Sequence, residues 1–333
     1  MRDQAALPLP PVWPRLAPSP DGQLGEDLLA VEELLLERLA GPIPLLGLVG
    51  EHLVGAGGKR LRPRLCLLAA RATAVAVGSA RRAAAAAELM HSASLLHDDV
   101  VDEAVLRRGR PAAPRLFGNS ACVLVGDALL SSALLLLAEI GDPQALRSSV
   151  HCVRRMALGE VAQLVGSRQP GRLGLLGLMR VIEGKTSALL AWCSTVGDLC
   201  PAPLRSPLRR FGRRLGVAFQ IGDDILDVEG DPRCTGKEPG ADLRTGRLTL
   251  PVILACARRP RLRQAIAAMG PAPTPDIVSA LLREIGESGG IEEARAAAGR
   301  LLGRAHRALD ELPPSVWRQE LHRLADGVLE RRD

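Results

Sequence analysis

A five-residue acidic pattern, Asp-Asp-x-x-Asp, occurs twice in this chain, each time inside a long apolar run. The first copy is Asp98, Asp99 and Asp102, within LMHSASLLHDDVV. The second is Asp223, Asp224 and Asp227, within LGVAFQIGDDILDV. On a helix, residues four apart share a face, so Asp98 stacks with Asp102 and Asp223 with Asp227. Like charges stacked this way repel unless cations neutralise them. A fold that turns the two apolar helices toward each other would bring both sets of carboxylates to a common interior. There they would form a cage of hard oxygen ligands suited to Mg²⁺ and to phosphate groups. A merely solvated face would carry interleaved Lys and Arg, and neither segment has any before Arg107.

The rest of the chain supplies helices to surround such a cage. EDLLAVEELLLERLA has apolar residues at helical spacing, and the chain after GGKRLRP resumes as a helix past Pro63. Long Ala/Leu segments follow at 80–106, 119–140, 144–166, 175–199, 205–229, 248–269, 275–286, 291–312 and 314–331. Gly, Pro and Asp separate them, as in GDP (141–143), CPAP (200–203) and GPAPTP (270–275). Alternating β-branched runs are absent. The expected fold is all-α, a single-domain multi-helix bundle with its ligand site in a central cavity. Residues 1–22 are Pro-rich and read as a flexible arm, leaving 23–333 as the helical domain. The arm lacks the charged start and apolar core of a secretory signal.

ACVLVGDALLSSALLLLAEI approaches membrane-span length but carries Asp127 near its middle. A charge there is costly in lipid, whereas a bundle tolerates it at a site. The segment reads as a core helix, and no transmembrane span is expected. Seven Cys, odd in number and without CxxC spacing, suit buried thiols in a reducing, cytoplasmic compartment. The net charge of +6 invites a nucleic-acid partner, but three Phe, three Trp and no Tyr leave few platforms for base stacking. A basic protein with two acidic clusters fits a diphosphate substrate better.

Basic residues flank both clusters. Gly57-Gly58-Lys59-Arg60-Leu61-Arg62-Pro63 is a glycine turn carrying three cations into a helix start, a setting that suits an anion. Arg107-Arg108 follows the first motif by about a helical turn. Lys185-Thr186 sits in an otherwise apolar helix, and Lys237 in a glycine-bearing loop after the second motif.

These stretches, taken in order, resemble the trans-isoprenyl diphosphate synthases, the polyprenyl synthetase family. The resemblance is carried by GGKRLRP, ELMHSASLLHDDVVDEAVLRRGRP, FGNSACVLVGD, GEVAQL, GKTSALL, FQIGDDILDVEGD and GKEPGADLRTGRLTLP, spanning residues 57–251. It implies the isoprenoid synthase bundle and a prenyltransferase that condenses isopentenyl diphosphate with an allylic diphosphate. Asp98, Asp102 and Asp223 match the Mg²⁺ ligands, with three ions held once diphosphate binds. Asp99, Asp224 and Asp227 would act through water or by supporting those ligands. Arg107, Lys185, Thr186, Gln220 and Lys237 match the allylic diphosphate site, and Lys59, Arg62, His91 and Arg108 the isopentenyl diphosphate pocket. His97 is assigned a structural role. Asp98, Asp102, Asp223, Lys185 and Arg107 are the residues expected to drive ionisation of the allylic C–O bond. The isopentenyl double bond then attacks the carbocation, and released diphosphate takes the proton, since no carboxylate free of metal duty stands out. The family also implies a homodimer, formed through the helices after the first motif.

Product length follows from the helix before Asp98, where aromatic residues in the family stop growth early. Here Ala93 and Ser94 are small, Met90 is the one bulky residue above them, and Ala86, Ala87 and Ala83 lie beyond. The facing helix offers Leu129, Leu134, Leu136 and Leu137. The expected product has six to ten isoprene units, with geranylgeranyl diphosphate as the alternative. Pro114 replaces the usual Asn or His, and Arg247 the usual Lys. A terpene cyclase would lack the second DDxxD. A non-catalytic subunit of a heteromeric synthase would be expected to lose aspartates, and all six are present.

Overall fold

The computed structural model describes residues 22–40, 43–54, 60–107, 109–167, 174–230, 239–270 and 273–328. The bulk of the N-terminal arm, and the site candidates Lys59, Arg108 and Lys237, lie outside the described residues. The all-α expectation holds: helices account for nearly all regular structure, and one two-stranded ribbon interrupts them.

Helix α1 (Gly22–Leu39), α2 (Pro44–Val54) and α3 (Leu61–Thr73) lead to α4 (Val77–Val101), which ends at the first acidic motif. The ribbon pairs β1 (Leu106–Arg107) with β2 (Arg110–Pro111). Then come α5 (Ala113–Phe117), α6 (Asn119–Ala138), α7 (Pro143–Ser167) and α8 (Leu175–Ile182). A π-helical turn, Glu183–Ser187, joins α8 to α9 (Ala188–Ser194). Helix α10 (Ala202–Glu229) carries the second motif. The C-terminal part holds α11 (Ala241–Arg244), α12 (Leu250–Arg258), α13 (Pro260–Ala268), α14 (Pro275–Gly286), α15 (Gly290–Leu309) and α16 (Val316–Asp326).

Two long pairings form the core. α4 lies along α6, where Ala83–Ala87 are wholly buried and Leu129, Leu136 and Leu137 come from the facing helix. Small side chains on α4 let the two backbones run close. α10 lies along α15 and also covers α9. Asp27 is buried in this frame, held by Arg71 and Arg81, each of which donates two hydrogen bonds at 2.7–3.0 Å.

Several expected helix limits differ from the structure. The segment 80–106 stops at Val101, because Glu103 takes a left-handed φ of 50° and turns the chain into the ribbon. The segment 248–269 breaks at Arg259–Pro260. Proline lacks an N–H and pushes the residue before it out of the α region, and Arg259 has φ −126°, ψ 86°. Helix α3 begins two residues before Pro63 rather than after it. Asp127, expected at a site inside the bundle, lies on the exposed face of α6, 3.4 Å from His97. α6 is the one helix among the described residues long and apolar enough to cross a membrane, and 39% of that stretch is buried inside the protein.

Candidate active site

The π turn is where local packing fixes the chemistry. Gly159 of α7 meets Gly184 so closely that a Cβ on residue 159 would stand 2.6 Å from the Lys185 amide nitrogen. On the other side, a Cβ on Gly216 of α10 would stand 2.5 Å from Ser187 Cα. Pinched between two helices, the turn widens to π geometry, a feature that recurs at functional sites. It presents Lys185 and Thr186 to the interior.

From there, two polar chains connect the acidic motifs. Lys185 Nζ lies 3.1 Å from Asp98 Oδ2 and 2.6 Å from Glu160 Oε1. Next to it, Thr186 donates to Gln220 Oε1 at 2.6 Å, and Gln220 Nε2 donates to Asp224 Oδ1 at 2.9 Å. That first chain runs from α4 through the π turn to α10. The second begins at Asp102, which pairs with Arg247. Arg247 also lies 3.6 Å from Asp242, whose backbone N–H donates to Asp227 Oδ2 at 3.2 Å. Asp227 further accepts from Ala241 N at 3.1 Å, so its carboxylate caps the start of α11. Two cavities flank Arg247. One of about 100 Å³ is lined by Lys185, Gln220, Asp224 and Asp242, and one of about 210 Å³ by Asp102 and Glu160.

Burial sets the electrostatics. It pushes the Asp98 carboxyl above its ordinary range, against the pull of the Lys185 ammonium, and Asp102 adds to the rise. Glu160 is raised by burial first and then by Asp98. Burial alone would lower the Lys185 ammonium, but Asp98 and Glu160 together hold it above its usual value. Asp224, walled in and facing Asp242, is pushed up to about 8. The carboxylates thus crowd beyond what the cations beside them fully offset. Their oxygens are the hard ligands that Mg²⁺ takes, though among the described residues no three of these side chains converge on one point, and Asp98 and Asp102 are held instead by Lys185 and Arg247.

Other sequence candidates fall around this centre. The ribbon folds Arg107 back onto buried Asp99, donating from Nε at 2.7 and 2.9 Å, so the arginine reaches the motif through a hairpin rather than along a continued helix. Asp223 is half-buried beside these groups on α10. Arg62 and His91 are half-buried on α3 and α4. Arg60, counted among the cations of the glycine turn, pairs with Glu32 and Glu88 at 3.2 Å each and has a left-handed φ of 45°. His97 Nε2 lies 3.2 Å from the Val123 carbonyl, consistent with a packing role. Ala93 and Met90 are buried, and the Ser94 hydroxyl donates to His91 O at 2.7 Å.

Three participants carried no assignment in the sequence reading: Glu160, Asp242 and, as an ion-pair partner of Asp102, Arg247. Glu160 is a carboxylate outside the two motifs, engaged by Lys185 at 2.6 Å. The stretches GEVAQL and GADLRTGR marked all three positions, but nothing in their spacing indicated a partner.

Comparison with known proteins gives the family. The polyprenyl synthetase family model matches residues 43–284. An all-trans-nonaprenyl-diphosphate synthase (geranyl-diphosphate specific) of Rhodobacter capsulatus is 37% identical, over 92% of this chain and 96% of its own. Heptaprenyl diphosphate synthase component 2 of Geobacillus stearothermophilus is 38% identical, over 91% and 95%. Among solved structures, a polyprenyl synthase from Caulobacter crescentus CB15, complexed with calcium and isoprenyl diphosphate, superposes with a TM-score of 0.89 at 36% identity. That match covers 96% of this chain and 100% of the other. The chain belongs to the polyprenyl synthetase family, and it is a prenyltransferase that makes all-trans polyprenyl diphosphates of medium or long chain.

Proposed function

We propose that this enzyme joins isopentenyl diphosphate to an allylic primer until the product has six to ten isoprene units, with Asp98, Asp102 and Asp223 holding Mg²⁺ and three ions bound alongside diphosphate. The supporting observation is the pair of polar chains that tie the two acidic motifs together through Lys185 and Arg247. When bound there, Mg²⁺ supplies positive charge that stabilises the departing diphosphate. Lys185 and Thr186 orient the allylic diphosphate, and Arg107, backed by Asp99, adds a guanidinium fork. The allylic C–O bond breaks with its electron pair on the diphosphate oxygen. The isopentenyl π bond then forms the new C–C bond, and the C2 proton leaves to the released diphosphate. Lys59, Arg62, His91 and Arg108 hold isopentenyl diphosphate, while Gln220 and Lys237 complete the allylic side. The apolar bundle keeps water from the cation.

Small Ala93 and Ser94, with flexible Met90 behind them, favour the longer product over geranylgeranyl diphosphate. The reading also treats residues 23–333 as one unit with the N-terminal arm outside it. It makes the enzyme cytoplasmic, in keeping with free, mostly buried cysteines among the described residues. A homodimer is supported by the apolar surface on α6 and α7, where Leu124, Leu135, Val150, Val161 and Val165 are at least half exposed. Leu124→Glu with Val161→Glu should yield monomers in sedimentation. Unchanged dimers would place the interface elsewhere.

Purified enzyme is incubated with Mg²⁺, isopentenyl diphosphate and farnesyl diphosphate, and the dephosphorylated products are sized by mass spectrometry. The expected ladder ends at six or more units. Termination at four units overturns the length assignment. Absence of elongation with every allylic primer favours a second reading, in which the chain acts as one component of a heteromeric synthase, as the name of the Geobacillus relative indicates for that protein.

A further inference from the structure

Among the described residues, a groove of about 870 Å³ lies on the opposite side of the π turn from the acidic motifs, walled by α7 and by the first half of α10. Arg147 and Arg155 line it from α7, and Arg205, Arg209, Arg210 and Arg213 from α10. Only two carboxylates, Asp198 and Glu183, stand among them. Arg209 pairs with Asp198, Arg213 with Glu183, and Arg210 with Glu311 outside the groove. Arg205 commits its Nε to the Cys200 carbonyl at 2.6 Å. Arg147 and Arg155 are exposed and form no ion pair among the described residues. The floor is pinned: buried Trp192 donates to Ser148 Oγ at 3.0 Å, and Ser148 donates to Gly197 O at 2.8 Å.

Guanidinium groups on two facing walls above a fixed floor match a compact polyanion, since each fork can take two phosphate oxygens at once. We propose that this groove is a second anion site that binds inorganic diphosphate and acts on the catalytic cavity through the π turn. That turn is a partition: Glu183 and Ser187 line the groove, while Lys185 lines the catalytic side and Thr186 bonds Gln220 there. An anion that draws Arg213 away leaves Glu183 unneutralised two residues from Lys185, which weakens the positive field on the allylic diphosphate. The binding half stands on the groove alone. The coupling half rests on Lys185 and Thr186 holding the allylic diphosphate.

The test is equilibrium dialysis of the full chain against labelled inorganic diphosphate in the presence of a chelator, because guanidinium groups need no metal to hold phosphate. Wild type and Lys185→Gln should bind alike. Arg147→Glu with Arg155→Glu should bind about tenfold or more weakly. The pair Arg147→Gln with Arg155→Gln serves if charge reversal prevents folding, as checked by a thermal melt. Undiminished binding in the arginine variants, or loss in Lys185→Gln alone, overturns the proposal. So does arginine-dependent capture by anionic phospholipid vesicles without binding of free diphosphate, which would assign the groove to a lipid headgroup. With Mg²⁺ restored, diphosphate should raise the allylic KM about fivefold more in wild type than in the arginine variants, the low end of ordinary coupling. Equal inhibition overturns the coupling half. If the chain makes no product, dialysis still decides the groove.

Discussion

Gly159→Ala probes the packing that places Lys185. A methyl at 159 would stand 2.6 Å from the Lys185 nitrogen and 2.9 Å from the Gly184 carbonyl carbon, whereas ordinary contact starts at 3.4 Å. Both atoms are backbone, so no rotamer change relieves the clash, and α7 must separate from the π turn by about 0.8 Å. Overpacking of this kind costs about 1–3 kcal/mol. Ala is also a better helix former than Gly by about 1 kcal/mol, which acts in the opposite direction. Gly299→Ala on α15 separates the two effects, because a Cβ there meets nothing within 4 Å. Urea unfolding should show Gly299→Ala stabilised by up to about 1 kcal/mol and Gly159→Ala lower than it by about 1–3 kcal/mol. The turn also carries the ammonium held 3.1 Å from Asp98 and 2.6 Å from Glu160. Displacement on this scale should lower kcat by up to about 100-fold. Gly159→Ala matching Gly299→Ala in stability, with wild-type kcat, would refute the argument that this contact positions the lysine.

Other outcomes follow from the same structure. Asp27→Ala strands Arg71 and Arg81, and since both are about one-third exposed, the loss in urea unfolding should fall toward the low end of about 3–5 kcal/mol; a loss below about 1 kcal/mol would mean water replaces the aspartate at little cost. His306 and His322 face each other with Nδ1 atoms 2.7 Å apart, between Asp326, Asp310 and Arg318. Burial, then His306, lowers the His322 pKa below 6.5, so the unfolded chain binds its proton more readily than the folded one. That contribution to stability is full above pH 6.5 and is lost as pH falls toward the depressed folded value. Thermal melts between pH 7.5 and about 5 should therefore fall more steeply in wild type than in His322→Gln, and parallel curves would contradict this. Ala93→Phe should shorten the product ladder to about four units or fewer, because one turn of helix rises about 5.4 Å, roughly one isoprene unit; an unchanged ladder would place the growing chain against a different helix.

The sequence made the acidic centre legible for a physical reason. Carboxylates in apolar runs are costly to bury, so Asp98, Asp102 and Asp223 announce a site wherever they occur together. The helices were equally plain from apolar spacing, except where a local conformation intervened, as with the left-handed Glu103 and the proline after Arg259. Partners proved harder to read. Glu160, Lys185 and Asp98 sit on α7, the π turn and α4, and no spacing along the chain records that three elements converge. Arg60 shows the converse. It lies within a motif of cations, yet its partners Glu32 and Glu88 come from α1 and α4, which the motif does not record.

The π turn explains why the lysine could be named as a site residue while its geometry could not. EGKTS has no propensity for a wide turn. Its shape comes from Gly159 against Gly184 and Gly216 against Ser187, contacts made by what those glycines lack. A missing Cβ has no signature of its own in a single sequence, where a glycine in a helix reads first as a weak point. Here the weak points are where backbones meet, and they bring Lys185 between the carboxylates on one side of the turn while setting Glu183 among the arginines on the other. Any force on one face of so short a turn must be felt on the opposite face, because the glycine contacts leave it no room to absorb displacement.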